Sequence, residues 1–487
     1  MKNKTTLVIA FAITLLMSLN SFAQLVTSGA DDGTDGTLRN EIADTPPGGT
    51  ITFTPAVTTV TLNGELLIDK SLTIDGAAAT VTIDANFNGR VFNITAGTVE
   101  LNNLTLTNGV APDGGAILMS NAVVTVNDCI ITNNVANATG NPAGSGGGIF
   151  NDVGGILTVN DTEISFNTAN RAGGGIEDKT GAGLSTVLNN VNFISNNAGV
   201  SPAIAAPGRG GALHVSSNGS VMVNGGSATA NIAASEGGAL WNGFGTMTVD
   251  GMVIAGNDAQ GPGGDEGGGG IFNNGGNLVV LPGTVITNNT ASGALGSGGG
   301  IFTLTPGTLT IDGLTIENNT ANRAGGGIEI NSSAGEVYTF NNVNLNANSV
   351  NGPAPGNGGG LHISGAGDVV YNGGSVTNNT AFEGGGLWNS VGVMSVNGTT
   401  ITGNIANGDA TGGGGLFNNG GTLNVDAATT LTGNTAMAAT PGGRGGGIFN
   451  NTGGSLNLAS GLVISGNYAS RAGGAIEDSS GLTLTLD

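Results

Sequence analysis

Apolar and polar residues alternate along most of this chain in short runs, and the runs come back in a fixed order. One run follows glycines, in the motif GG(G/A)(I/L), which occurs thirteen times. Its Ile or Leu falls at 117, 149, 176, 213, 240, 271, 301, 328, 361, 387, 416, 448 and 476, with gaps of 26 to 37 residues. A second run is a short alternating segment such as LTVND, MTVDG, LTIDG or MSVNG. A third ends in an apolar residue followed three positions later by Asn and then a small residue, as in ITNNVA, VITNNTA and VISGNYA. Period-two alternation bounded by Gly, Asn and Asp marks strands and turns, not helices. Each unit of about 30 residues therefore predicts three short strands with no helix and no hairpin pairing inside the unit. Repeats of this kind stack as coils of a parallel β-helix, each strand lying about 4.8 Å from its counterpart in the next coil.

The pattern also assigns roles. The glycines permit backbone angles and close approaches that a Cβ would forbid. The repeated asparagines, among them Asn134, Asn167, Asn231, Asn257, Asn289, Asn319, Asn379, Asn404, Asn434 and Asn467, are expected to point inward at a turn and bond one another as a ladder. Only DGTDGTLRNEIADTPPGGTITF, residues 32 to 53, departs from the strand pattern. Leu38 and Ile42 are four apart, Thr37 can cap, and Pro46-Pro47 stops the segment. A short amphipathic helix is predicted there, covering the first coil.

The residue after each Ile or Leu lies on the opposite face of its strand. Read from the second coil, this column is Phe150, Glu177, His214, Trp241, Phe272, then Phe302, Glu329, His362, Trp388, Phe417, then Phe449 and Glu477. The order F-E-H-W-F repeats, so a five-coil block is tandemly duplicated, with a third copy begun. Both tryptophans and both histidines of the chain belong to it. If the column faces solvent, Trp241, Phe272, Phe302, Trp388, Phe417 and Phe449 form a stacked platform for neutral sugar rings. Glu177 with His214, and Glu329 with His362, are then the only candidate acid–base pairs. If the longer loops cover the column, the same rings are satellite core. Arg171, Arg323 and Arg471, each a few residues before the column Glu, are expected to form exposed ion pairs.

Composition narrows the classes. With 33 Asp and Glu against 11 Lys and Arg, the net charge is −22, which argues against nucleic acid, anionic lipid or polyanionic glycans as partners. The 93 glycines do not signal disorder, because 38% of residues are hydrophobic and regularly spaced. Cys129 is the only cysteine, excluding a disulfide framework. It lies near Ile131 in a strand and reads as a buried apolar residue. The start, MKNKTTLVIAFAITLLMSLNSFAQ, has a basic region, a short apolar run and small residues before Gln24, the pattern of a secretory signal peptide. The expected organisation is a signal peptide over 1–23, an N-terminal cap over 24–60 and a repeat body over 61–487, with a C-terminal continuation expected to be missing. No later stretch is long and apolar enough to span a bilayer. The loop acids Glu236, Asp265, Glu266 and Glu383 lack the nonapeptide pattern of calcium-binding β-rolls. No metal and no cofactor are assigned.

GGAI at 114–117 and 473–476, with FISN at 193–196, resembles the repeats of polymorphic outer-membrane proteins, whose passenger regions carry GGA(I/L/V) and FxxN. TLRNEI followed by PGGTITF is similar to the start of many secreted bacterial right-handed parallel β-helix proteins. Most copies depart from the family motif, with GGGI or GGGL and Ile, Val or Leu for Phe. The resemblance implies an all-β, right-handed, single-stranded solenoid, exported and surface-attached, serving as an adhesive passenger or stalk. Its implied partners are neutral glycans or host and matrix proteins, and its implied anchor would lie in the missing C-terminal region. The same fold houses pectate lyases and polygalacturonases, so a polysaccharide-acting lyase or glycoside hydrolase is the alternative. Against it, polygalacturonase-type NTD, DD and GH motifs are absent from adjacent coils, and lysines to hold uronate carboxylates are nearly lacking.

Overall fold

The computed structural model describes residues 23–77, 81–138, 143–352, 355–409, 411–438, 442–482 and 485–486. Most of the predicted signal peptide, residues 1–22, lies outside the described residues. The fold is a right-handed parallel β-solenoid of about 15 turns of about 29 residues, with one short helix near its start. At strand spacing this makes a rod on the order of 70 Å long.

One turn illustrates the rest. Ile117–Met119 follows the glycines, Val123–Asn127 is the middle run, Ile130–Thr132 precedes the asparagine, and Val135–Ala136 follows it. Each pairs in parallel with the same element of the turns on either side. Stacking of these positions builds four sheets among the described residues, here called I to IV in chain order within a turn. They hold 15, 17, 15 and 13 strands respectively. The three runs expected from the pattern form sheets I to III. Sheet IV, of mostly two-residue strands, is an addition, too short for alternation to reveal. Two early turns, with sheet I strands Leu66–Ile68 and Phe92–Ile94, lack the glycine motif and were invisible to a count of it.

The interior is a continuous apolar core in which Ile117, Val124, Val126 and Ile131 are fully buried, with Ile464 and Ile476 of the last turns partly buried against it. Helix α1 spans Leu38–Asp44, with Thr37 as its N-cap and Leu38 and Ile42 buried in the core. The strand Gln24–Val26 already pairs with Gly49–Phe53, so sheet II begins within the predicted cap region. Cys129 is buried, and burial pushes its thiol up to about 12, where it is chemically quiet.

The asparagine ladder runs unbroken from Asn134 through Asn167, Asn196, Asn231 and Asn257 to Asn289, Asn319, Asn348, Asn379, Asn404, Asn434 and Asn467. Each Nδ2 donates to the next Oδ1 at 2.8–3.0 Å. Each Oδ1 also accepts the backbone N–H of the asparagine one turn earlier, as in Asn257 N to Asn289 Oδ1 at 3.0 Å. The second Nδ2 hydrogen goes to a main-chain carbonyl, as in Asn289 to Ile254 at 2.9 Å. Every polar group of the buried amide is thereby used, which is what makes a polar row tolerable in the core.

Candidate functional site

The column after the sheet I Ile and Leu residues lies outside the main core, on the face expected from alternation, yet it does not face solvent. Glu177 and Glu329 are 1% exposed, His214 and His362 2% and 3%, and the six aromatic rings between 0% and 5%. Trp241, Phe272 and Phe302 form one apolar cluster separate from the main core, and Trp388, Phe417 and Phe449 form another. Of the two arrangements the sequence leaves open for these six residues, an exposed platform or a covered satellite core, the structure shows the covered one.

The covering comes from the chain just before each strand. The first glycine of the motif has φ near +60°, as at Gly237 (66°) and Gly298 (64°). A Cβ there would stand 3.0 Å from the Trp241 Cβ and 2.7 Å from the Phe302 Cβ, respectively. The glycine turn therefore presses directly on the column residue four positions later, and only a residue without a Cβ can occupy it. The residue preceding that glycine stacks from turn to turn in its own run of parallel bridges, Ser145–Ala172–Arg209 and Gly267–Ser297–Ala324–Asn357–Glu383. These residues wall the column along its length.

Inside this wall the column is a continuous stack. Glu177 Oε2 meets His214 Nδ1 at 2.8 Å, and Ser216 Oγ donates to Glu177 Oε1 at 2.5 Å. The His214 ring lies on Trp241 with centroids 4.2 Å apart, Trp241 on Phe272 at 6.3 Å, and Phe272 meets Phe302 edge-on at 5.2 Å. The second copy repeats it. Glu329 Oε2 to His362 Nδ1 is 2.7 Å, His362 to Trp388 4.3 Å, Trp388 to Phe417 5.8 Å and Phe417 to Phe449 5.1 Å. Burial pushes the Glu177 carboxyl up, but His214, Ser216 and Arg171 together outweigh it and hold the group below its usual range. A carboxylate held ionised against an enclosed imidazole is a packed, hydrogen-bonded pair. Both Glu–His pairs are enclosed by neighbouring side chains and chain, with no more than 3% of any of the four residues exposed.

Alternation could not have revealed the partners of the indoles, although the spacing E-G-G-x-L-W contains them. Trp241 Nε1 donates to Glu236 Oε2 at 2.8 Å, and Trp388 Nε1 to Glu383 Oε2 at 3.4 Å. These are two of the loop acids considered for a metal; they are spent on the wall. Glu266 is likewise engaged, accepting from Gly263 N and Ser235 Oγ, while Asp265 accepts from Asn331 Nδ2 at 3.3 Å. Arg209 packs over Trp241, 5.6 Å from the ring centroid, and pairs with Glu236 at 2.9 Å. Of the motif arginines, Arg323 lies 4.0 Å from Glu329, while Arg171 and Arg323 each donate to a wall serine, Ser145 and Ser297.

The structure adds a second inward ladder, whose motif is not periodic enough in the sequence to stand out. Two residues after the sheet I Ile or Leu, Asn242 bonds Asn273 at 2.8 Å, and Asn389, Asn418 and Asn450 are joined at 2.8 Å and end on Asp478. Amides donate forward, so the first Oδ1 of each run has no donor behind it. Asn151, Asn242 and Asn389 carry such buried unbonded oxygens, and the positions one turn earlier are Met119, Val215 and Ile363. Asp178 ends the first run, accepting from Asn151 at 3.1 Å. Burial raises its carboxyl to about 6.

A groove of about 600 Å³ lies on the outer face of sheet II, lined by Thr308, Thr310, Glu336, Val337 and Thr339. Glu336 is fully engaged there, accepting from Thr305 Oγ1, Ser333 N and the Tyr338 hydroxyl. No described helix is long and apolar enough to cross a membrane. The architecture defines the class: a long parallel β-solenoid with a sealed aromatic column along one side. Comparison with protein-family models, with curated proteins and with solved structures gives no match.

Proposed function

We propose that this chain is an exported, surface-associated rod that displays its outer faces for adhesion, with neutral glycans as the ligands its chemistry suits best. The observation that carries the reading is the enclosure of both Glu–His pairs, 1–3% exposed, on a solenoid whose turns stack without interruption. A polysaccharide-cleaving enzyme needs acid–base groups along an accessible cleft. An adhesive spacer needs only length, stiffness and an outer surface. The acidic balance disfavours polyanionic ligands and leaves neutral sugars favoured. The N-terminal leader pattern and the motif resemblance to polymorphic outer-membrane passengers support export and surface display.

The test is affinity electrophoresis of residues 24–487 through gels containing neutral or acidic polysaccharides, with new reducing ends assayed in the same lanes. Retardation by a neutral polysaccharide without new ends is the expected result. New reducing ends would replace this reading with the enzymatic one. Absence of retardation in every gel would remove glycans as ligands. Export is tested separately by N-terminal sequencing of protein recovered outside the cell, expected to begin at Gln24.

A further inference from the structure

At the corner between sheets III and IV, the residue before each ladder asparagine takes a left-handed conformation. It is Asn133, Ser195, Ala230, Asn288, Asn318, Ala347 or Asn378 in successive turns, with φ between 50° and 60°, and Gly256, Gly403, Gly433 or Gly466 elsewhere. These are the small or amide residues that such a backbone tolerates. One turn breaks the rule. Phe166 occupies this corner at φ 53° and is 56% exposed. At the same edge, two residues further beyond the end of its sheet III strand, Phe87 has φ 60° and is 65% exposed. A bulky side chain in this region carries strain, and an exposed ring gains nothing from burial in return.

The two rings are linked by the register of sheet III. Asp84 pairs with Thr107, Thr107 with Thr132, and Thr132 with Ser165, so Phe87 and Phe166 stand three turns apart, about 14 Å along the axis. Between them lie only hydroxyl and amide side chains at the edge: Thr107, Asn108, Thr132 and Asn133. Asn108 Nδ2 is held by Asp84 Oδ1 at 2.9 Å, and the nearest base in the chain, Arg90, is paired with Glu65. Flat apolar faces at both ends of a row of hydroxyls and amides flanked by the Asp84 and Glu163 carboxylates match an extended uncharged sugar chain, whose rings offer C–H faces to aromatics and hydroxyls to amides and carboxylates. Two isolated rings fall far short of the area a stable protein partner needs.

We infer that the edge from Phe87 to Phe166 is a binding strip for a neutral glycan chain running parallel to the rod axis; this deepens, and rests on, the glycan reading above. Its test uses residues 24–487 in gels of laminarin, glucomannan or hydroxyethyl cellulose, comparing wild type with Phe87→Asn, Phe166→Asn and the double variant. Phe244→Ala, which removes a 67% exposed ring at the corner between sheets I and II, is the control. Asparagine suits a left-handed corner better than phenylalanine, so the variants are expected to melt at or above the wild-type temperature. Binding is expected to weaken about tenfold for each ring removed, and Phe244→Ala to be unaffected. A wild type that is retarded equally with the double variant would overturn the strip while leaving glycan binding elsewhere on the rod. A wild type that no neutral gel retards would overturn both.

Discussion

The two complete five-coil copies share a floor and differ in the wall. From Phe150 to Phe272 and from Phe302 to Phe417 the column reads identically, and its stacking distances agree to within about half an ångström. The residue facing the histidine from the wall is Arg209 in the first copy and Asn357 in the second. Arg209 both covers Trp241 and neutralises Glu236, whereas Trp388 is left with a longer bond to Glu383 and no guanidinium. Burial raises the carboxyl of Glu236 and that of Glu383, and only the first has Arg209 pulling it back. The ladder beneath differs too: Asp178 in the first copy corresponds to Ile330 in the second. The aromatic–imidazole stack is therefore the constant part of the unit, and charge management around it is the variable part.

Removing the stack gives the largest effect. Trp388→Ala is expected to destabilise by about 3–5 kcal/mol, through lost contacts and the cavity left in an enclosed cluster. Trp241→Ala should cost more than its counterpart, because Glu236 and Arg209 lose the indole as well; urea denaturation followed by far-ultraviolet circular dichroism compares them. Equal or negligible losses would mean the columns are not packed as described.

Asp178 gives the next effect, and its sign is fixed. Its folded pKa is raised to about 6, so its favourable contribution is complete below the unfolded value and is lost as pH rises through about 6. Two units correspond to about 3 kcal/mol at most. Asp178→Asn should accordingly stabilise the protein by about 2 kcal/mol at pH 8 and by little at pH 4. A denaturation midpoint that gains equally at both pH values would contradict the buried, raised carboxyl. The wall arginine comes last. Arg209→Ala is expected to cost about 1 kcal/mol, because the guanidinium is 36% exposed and solvent weakens the pair. Asn357→Arg should recover a similar or smaller amount in the second copy, and a double-mutant cycle with Glu383→Gln measures it.

Much of this was legible in the chain because it depends on period. Alternation located sheets I to III, the Asn spacing located the main ladder, and Thr37, Leu38 and Ile42 located α1. Alternation says which side of a strand a residue occupies, but not whether chain from elsewhere lies over it. That is why alternation places Trp241 and Trp388 on the correct side of their strands but leaves open whether they face solvent or lie under covering chain. The information was present five residues upstream, in glutamates that take the indole N–H, but only the stacked wall makes that spacing meaningful. Asn348 is absent from the expected ladder because ANSV dilutes the motif, whereas Asn196 enters it as the last residue of FISN. Phe166 was hidden in ISFNTA, where nothing in composition distinguishes a left-handed corner from a strand end.

The central claim is that the column is a sealed second core and that recognition happens elsewhere on the rod. Trp241 and Trp388 are the only tryptophans, so intrinsic fluorescence reports on the two columns alone. The direct measurement is iodide quenching of that fluorescence, with and without laminarin. A blue-shifted emission that iodide barely quenches, unchanged by the glycan, is the predicted result. Red-shifted emission that iodide quenches readily, or that the glycan protects, would contradict the account and return the column to the surface.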